Sequence, residues 1–171
     1  GYIEETISGQ KVIKVFNHED ECIDEMNILN EDLTRKGEAE AFSYLDWFIG
    51  QAAKQGLYVI LDLHGAPGSQ NGYEHSGAAS AKAELWYCEK YIDATIALWD
   101  FVSIHYSQTA PELGKWIASY DLLNEPTDGH GGVTTKKCWD IFDRIYEKIR
   151  YNDDDHLITI AGCWDFGKLP N

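Results

Sequence analysis

The sequence predicts an α/β fold organised around a parallel sheet. Two observations predict it. Helix-like and strand-like patterns alternate three times between residues 39 and 161. The strand segments are short, continuous apolar runs, the pattern expected of parallel strands buried on both faces.

The elements follow in order. Residues 1–36 are strongly acidic: nine acids against two lysines fall within the first 33 positions. Their apolar residues, Ile3, Ile7, Val12, Val15, Phe16, Ile23, Met26 and Leu33, are spaced nearer to a helical period than to strand alternation. Only Val12–Phe16 could pass as a short strand. Asn27 to Gly37 reads as loop or frayed helix. From Ala39, the residues Phe42, Leu45, Phe48, Ile49, Ala52 and Ala53 form one apolar helical stripe, which Gly56 stops. The first strand is Leu57-Tyr58-Val59-Ile60-Leu61, and a Gly-rich loop runs from Gly65 to about Ala81. A helix from about Ala83 to Tyr106 then leads to a strand at Ile117–Leu123. A helix from about Thr134 to Tyr151, with Cys138, Ile141, Phe142, Ile145 and Ile149 on one side, leads to a strand at Leu157–Ala161.

Composition narrows the function. With 29 acidic and 14 basic residues the formal charge is −15, against a nucleic-acid or anionic-membrane partner, both of which require Lys and Arg. No apolar run approaches the roughly 18 residues of a transmembrane helix, and no targeting signal is readable at Gly1. Cys22, Cys88, Cys138 and Cys163 are widely separated, against a zinc cluster or a disulfide framework. The 171 residues are also too few for a closed (β/α)8 barrel, which takes about 250.

In parallel α/β folds the chemistry gathers where strands end. The three strands end in Asp62-Leu63-His64, Asn124-Glu125-Pro126 and Gly162-Cys163-Trp164-Asp165. Glu125 closes an apolar strand and Pro126 turns the chain. A half-buried carboxyl there is expected to titrate high enough to serve as a general acid; the structural alternative is a helix cap or a surface ion pair. Asn124 suits a substrate hydroxyl or a turn equally well. His64 is a candidate site residue or a satisfied structural histidine. The loop Gly65–Gly72 contains no phosphate-binding glycine motif, so a nucleotide site is not expected. Tyr73, Trp164 and the loop residue Asn71 are candidates for binding a sugar, the rings by stacking on pyranose faces, whereas Trp86 is read as packing its helix on the sheet.

Three segments carry a resemblance: YLDWFIGQAAKQGLYVILDLHGAPGSQNG at 44–72, YDLLNEP at 120–126 and HLITIAGCWDFGKLPN at 156–171. On these, residues 37–171 resemble glycoside hydrolase family 5, the cellulase and exo-β-glucanase group. The resemblance implies a partial (β/α)8 TIM barrel covering about strands three to five with their helices, preceded by a mainly helical N-terminal segment at 1–36. It implies Glu125 as the general acid/base of a retaining mechanism, Asn124 on the sugar 2-hydroxyl, and His64 as the active-site histidine. It also implies a β-linked glucan substrate, no metal or cofactor, and an extracellular setting. The family's nucleophile on strand seven has no counterpart here, nor has the Arg ending strand two, so the segment alone is expected to be inactive. Residues 1–33 are similar to the intracellular helical extension of an ABC exporter, which suggests a chimera; the alternative makes Lys11–Phe16 a diverged strand two. A non-catalytic sugar-binding or assembly role stays open, because exposed sheet edges favour self-association.

Overall fold

The computed structural model describes residues 28–78, 80–127 and 135–162. The chain divides into two compact units between Val59 and Ile60. In the first, Leu29 and Arg35 form an antiparallel bridge around a turn. There the Asp32 carboxylate accepts from the Thr34 amide at 2.9 Å and from its hydroxyl at 2.6 Å. Of the two readings of this stretch, loop is the one that forms, because Asp32 gives the backbone a partner outside any helix. The expectations for Val12–Phe16 and for the rest of 1–27 lie outside the described residues.

Helix α1 (Glu38–Lys54) follows as the apolar stripe predicts, with Ala41, Phe42, Ile49 and Ala52 buried. Glu38 and Glu40 in its first turn and Lys54 in its last match the helix dipole. Gly56 adopts the left-handed conformation that ends it, with φ +72°.

The strands are β1 (Val59–Asp62), β2 (Ile117–Asp121) and β3 (Leu157–Thr159), in sheet order β1-β2-β3. β2 and β3 run parallel, with Ser119 opposite Leu157 and Asp121 opposite Thr159. Burial of both strand faces, expected from the apolar runs, is not what the outer strands show. Ile60 is 59% exposed and Leu157 69% exposed. A three-stranded sheet leaves both outer strands as edges, and among the described residues nothing covers these side chains.

The helix expected over 83–106 is also corrected. A 3-10 turn (Glu84–Tyr87) comes first, then extended backbone at Cys88, and α2 runs from Glu89 to Ile104. The turn belongs to the preceding loop: the Trp86 indole N–H donates to the Gln70 carbonyl at 2.8 Å. Trp86 is fully buried, so its reading as a packing residue holds, although it packs from the turn. At its other end α2 widens into a π-helical turn (His105–Thr109), where Ser107 Oγ donates to the Ser103 carbonyl at 2.6 Å. A short helix α3 (Pro111–Gly114) precedes β2.

Helix α4 (Thr135–Asn152) packs on α2. Its buried Ile141, Phe142, Ile145 and Ile149 are apolar side chains the spacing had singled out, and α2 buries Ile92, Trp99 and Val102. Arg144 crosses between the helices, donating to Glu89 and Asp93 at 2.7 Å each. Among the described residues no helix is long and apolar enough to cross a membrane.

Where β3 begins, a buried ion pair ties three elements together. His156 Nδ1–H donates to Asp153 Oδ2 at 2.6 Å, and Nε2–H donates to the Gly114 carbonyl at 2.7 Å. The Tyr120 hydroxyl donates to the same Asp153 oxygen at 2.9 Å. Both ring nitrogens face acceptors, so the imidazolium is the form that fits. The Asp153 bond, then the Gly114 carbonyl, raise His156 above its ordinary 6.5 against the opposing effect of burial. Burial pushes Asp153 up, but the bonds from His156 and Tyr120 outweigh it and bring it to about 2. Stabilisation from His156 is therefore complete below pH 6.5 and is lost as pH rises through its raised folded value. That from Asp153 is complete above pH 3.8 and is lost as pH falls toward 2. Denaturant midpoints measured across pH should peak between these limits. His156→Ala, which strands a buried carboxylate, should cost about 3 kcal/mol and remove the alkaline fall.

Candidate active site

The ends of β1 and β2 are joined by one side chain. Gln70, fully buried, donates through Nε2 to the carbonyl of His64 at 2.9 Å and to that of Asn124 at 2.8 Å. Its Oε1 accepts from the Ala66 amide at 3.1 Å, and its own carbonyl accepts from Trp86 and from the Thr127 amide. The loops carrying His64 and Glu125 are thereby held side by side.

The Gly-rich loop is shaped to permit this. Gly68 has φ +74°, and a Cβ there would lie 2.3 Å from the Tyr91 ring. Ser69 Oγ accepts from the Gly72 amide at 2.8 Å and pairs with Ser76 Oγ at 2.5 Å, which closes the loop on itself. The loop returns through a 3-10 turn (Glu74–Ser76) that carries His75 to the rim.

Glu125 follows β2 with a left-handed backbone, φ +45°, a strained conformation for a residue with a Cβ. Its side chain is 46% exposed, more open than the half-buried carboxyl expected at an apolar strand end. Its Oε2 lies 3.3 Å from His75 Nε2, a pairing of the kind the structural alternative allowed, with a partner the sequence had not pointed to. Asn71 Nδ2 donates to the Glu125 carbonyl at 3.3 Å and lies 3.2 Å from His75 Nε2. His64 stacks obliquely on His75, ring centroids 5.6 Å apart, and its Nδ1 pairs with Asp62 at 2.8 Å. Tyr73 lies 5.7 Å from His75 on the same rim. The Asn124 amide N–H donates to the Leu63 carbonyl, which fixes its backbone at the end of β1 next to Glu125 in the chain. Trp164 lies outside the described residues.

Five of the six residues singled out in the sequence thus gather on one rim, joined there by His75, Gln70 and Asp62, which were not. The signal for His75 was present: the chain has only six histidines, and two stand eleven positions apart around one loop. Gln70 carried no comparable mark. Behind the rim, Asp121 is pushed upward by burial and then by the nearby Asp62. Its Oδ1 is buried with no hydrogen-bond partner among the described residues. No group of three or more His, Cys, Asp or Glu among the described residues could hold a metal ion.

Residues 19–165 match the model of the cellulase family, glycosyl hydrolase family 5. The chain belongs to that family. Among curated relatives, it is 40% identical over 123 residues to a "Beta-xylosidase" of Phanerodontia chrysosporium, covering 72% of this chain and 24% of that protein. It is 34% identical over 118 residues to a "Probable glucan 1,3-beta-glucosidase A" of Neosartorya fischeri, covering 69% and 27%. The chain therefore spans about a quarter of the length of these relatives. A solved structure described as a glycoside hydrolase matches with a TM-score of 0.58 at 27% identity, over 72% of this chain and 36% of that one. A second, AoRut, matches at 0.62 and 20% identity, over 73% and 37%, and speaks for the fold alone. The architecture is accordingly TIM-barrel-like α/β, represented by a small parallel sheet and its helices. The family match begins at residue 19, inside the segment read as similar to an ABC exporter, so residues 19–33 are family 5 sequence. The exporter resemblance finds no support in these matches.

Gln70→Leu should leave two carbonyls and an amide without partners and cost about 3 kcal/mol, read from the denaturant midpoint. Gly68→Ala should also destabilise, since neither the φ nor the Tyr91 ring accommodates a Cβ.

Proposed function

We propose that this chain contributes the acid/base half of the active site of a retaining β-glycosidase acting on O-glycosidic bonds in β-linked glucan. The observation that carries the reading is Glu125, a carboxyl on strained backbone at the end of β2, open to solvent and set in a rim of His64, Asn71, Tyr73 and His75. Glu125 protonates the leaving oxygen and then activates water; Asn124 contacts the 2-hydroxyl, and His64 lines the site. Tyr73 and Trp164 bind the sugar, whereas Asn71, expected from the sequence to do the same, is buried with both amide atoms hydrogen-bonded and supports the rim from behind. The relatives' names differ in sugar, xylose or glucose, and agree in the β linkage, so the class proposed is a β-glycoside. Residues 37–171 correspond to about strands three to five of the barrel, and the stretch from residue 19 that precedes them belongs to the same family domain. An extracellular setting follows from a polymeric substrate.

A retaining mechanism also needs a nucleophilic carboxyl about 5–5.5 Å from the acid, and in the family that group ends strand seven. The 171 residues by themselves are therefore proposed to bind β-glucan oligosaccharides without cleaving them. Titration with such oligosaccharides should perturb the NMR signals of His64, His75 and Tyr73 in the wild type and in Glu125→Gln. Unperturbed signals at millimolar ligand would overturn the sugar site. Reducing sugar released by the purified chain and abolished by Glu125→Gln would keep the role of Glu125 and overturn the inactivity.

A second reading, assembly through the strand edges, is favoured by the exposure of Ile60 and Leu157 on the outer strands. Sedimentation should then show association that rises with concentration, whereas a monomer at all concentrations counts against it.

A further inference from the structure

Glu125 has one side-chain partner among the described residues, and its setting suits a group that must gain and lose a proton. His75 Nε2 stands 3.3 Å from Oε2. Behind the pair, the buried Asn71 amide is itself fixed, its Oδ1 accepting from the Tyr73 amide at 2.9 Å. Its Nδ2 reaches both the Glu125 carbonyl and His75 Nε2. Backbone carbonyl, amide and imidazole thus form one chain of contacts that ends on a single carboxylate oxygen. The imidazole is held from the sides by the rings of His64 and Tyr73. Asp62, the other carboxylate at this rim, is engaged by His64 Nδ1, so it does not compete for His75.

We propose that His75 is the positioning residue of Glu125, holding Oε2 in one place whether or not the carboxyl carries its proton; the inference rests on the acid/base reading given above. An imidazole nitrogen can do this because it accepts or donates according to where the proton lies. When Glu125 is protonated, its Oε2–H donates to the Nε2 lone pair, and the Asn71 amide that also faces Nε2 keeps its bond to the Glu125 carbonyl. When Glu125 is ionised, Nε2–H donates to Oε2. Lysine or arginine could serve the ionised form alone. Oε1, with no partner among the described residues, is the oxygen left for the substrate.

The test is the χ1 rotamer of Glu125 in the 171-residue chain, read from its three-bond carbon–nitrogen and carbon–carbon couplings. In the wild type the couplings should report a single rotamer. In His75→Phe, which keeps the ring beside His64 and Tyr73 but removes the nitrogens, they should fall to values averaged over several rotamers. His75→Gln, with a donor and an acceptor at the end of its chain, should restore the single rotamer. His75 is 42% exposed, so these variants are expected to fold. A single rotamer persisting in His75→Phe, or averaging already present in the wild type, overturns the proposal. Neither outcome bears on the acid/base reading, which stands or falls with the sugar titration and the Glu125→Gln comparison.

Discussion

The rim depends on the hydrogen bonds of one amide side chain. Gln70 lies at the bottom of a Gly-rich loop and satisfies, from a fully buried position, the carbonyls that end two adjacent strands. A buried carbonyl without a partner costs on the order of 1–3 kcal/mol, so the two strand ends could not lie together at this depth without such a donor. Everything that makes the rim a site follows from that placement. Backbone bonds between Leu63 and both Asp121 and Asn124 bring the strand ends together. One Gln70 nitrogen ties the His64 and Glu125 loops just beyond them, and the loop between folds back to present Asn71, Tyr73 and His75. The indole of Trp86 locks the hub from behind.

Sequence made much of the frame legible, for physical reasons that differ by element. Helices α1 and α4 were readable because their apolar residues recur at helical spacing, and α1 ends on the stop that Gly56 supplies. The strands were readable as apolar runs, but the inference from run to two-sided burial failed for β1 and β3, since a run records the preference of the side chains and not the presence of a cover. The segment 83–106 looked like one helix because apolar periodicity does not register the break at Cys88, where a long-range bond from Trp86 to Gln70 draws the first turn into the loop.

The site divides in the same way. Strand-end logic found His64, Asn124 and Glu125, whose positions are set by local sequence. His75 and Gln70 act across 50 and 54 residues of chain respectively, and no local pattern encodes such a pairing. The acidity of the chain, in turn, says little about the rim, where acids and histidines alternate. Asp153, a carboxylate held well below its usual range, works far from the rim in sequence as a fastener for β3.

The left-handed backbone at Glu125 also bears on how this position can change. The φ of +45° is one that glycine and asparagine adopt with less strain. Either substitution would relax the main chain while removing the carboxyl, so selection for stability alone would pull the residue away from glutamate. Libraries screened for thermal tolerance should therefore drift toward glycine or asparagine at 125, and retention of glutamate under a screen for activity would mark selection for the chemistry proposed for it.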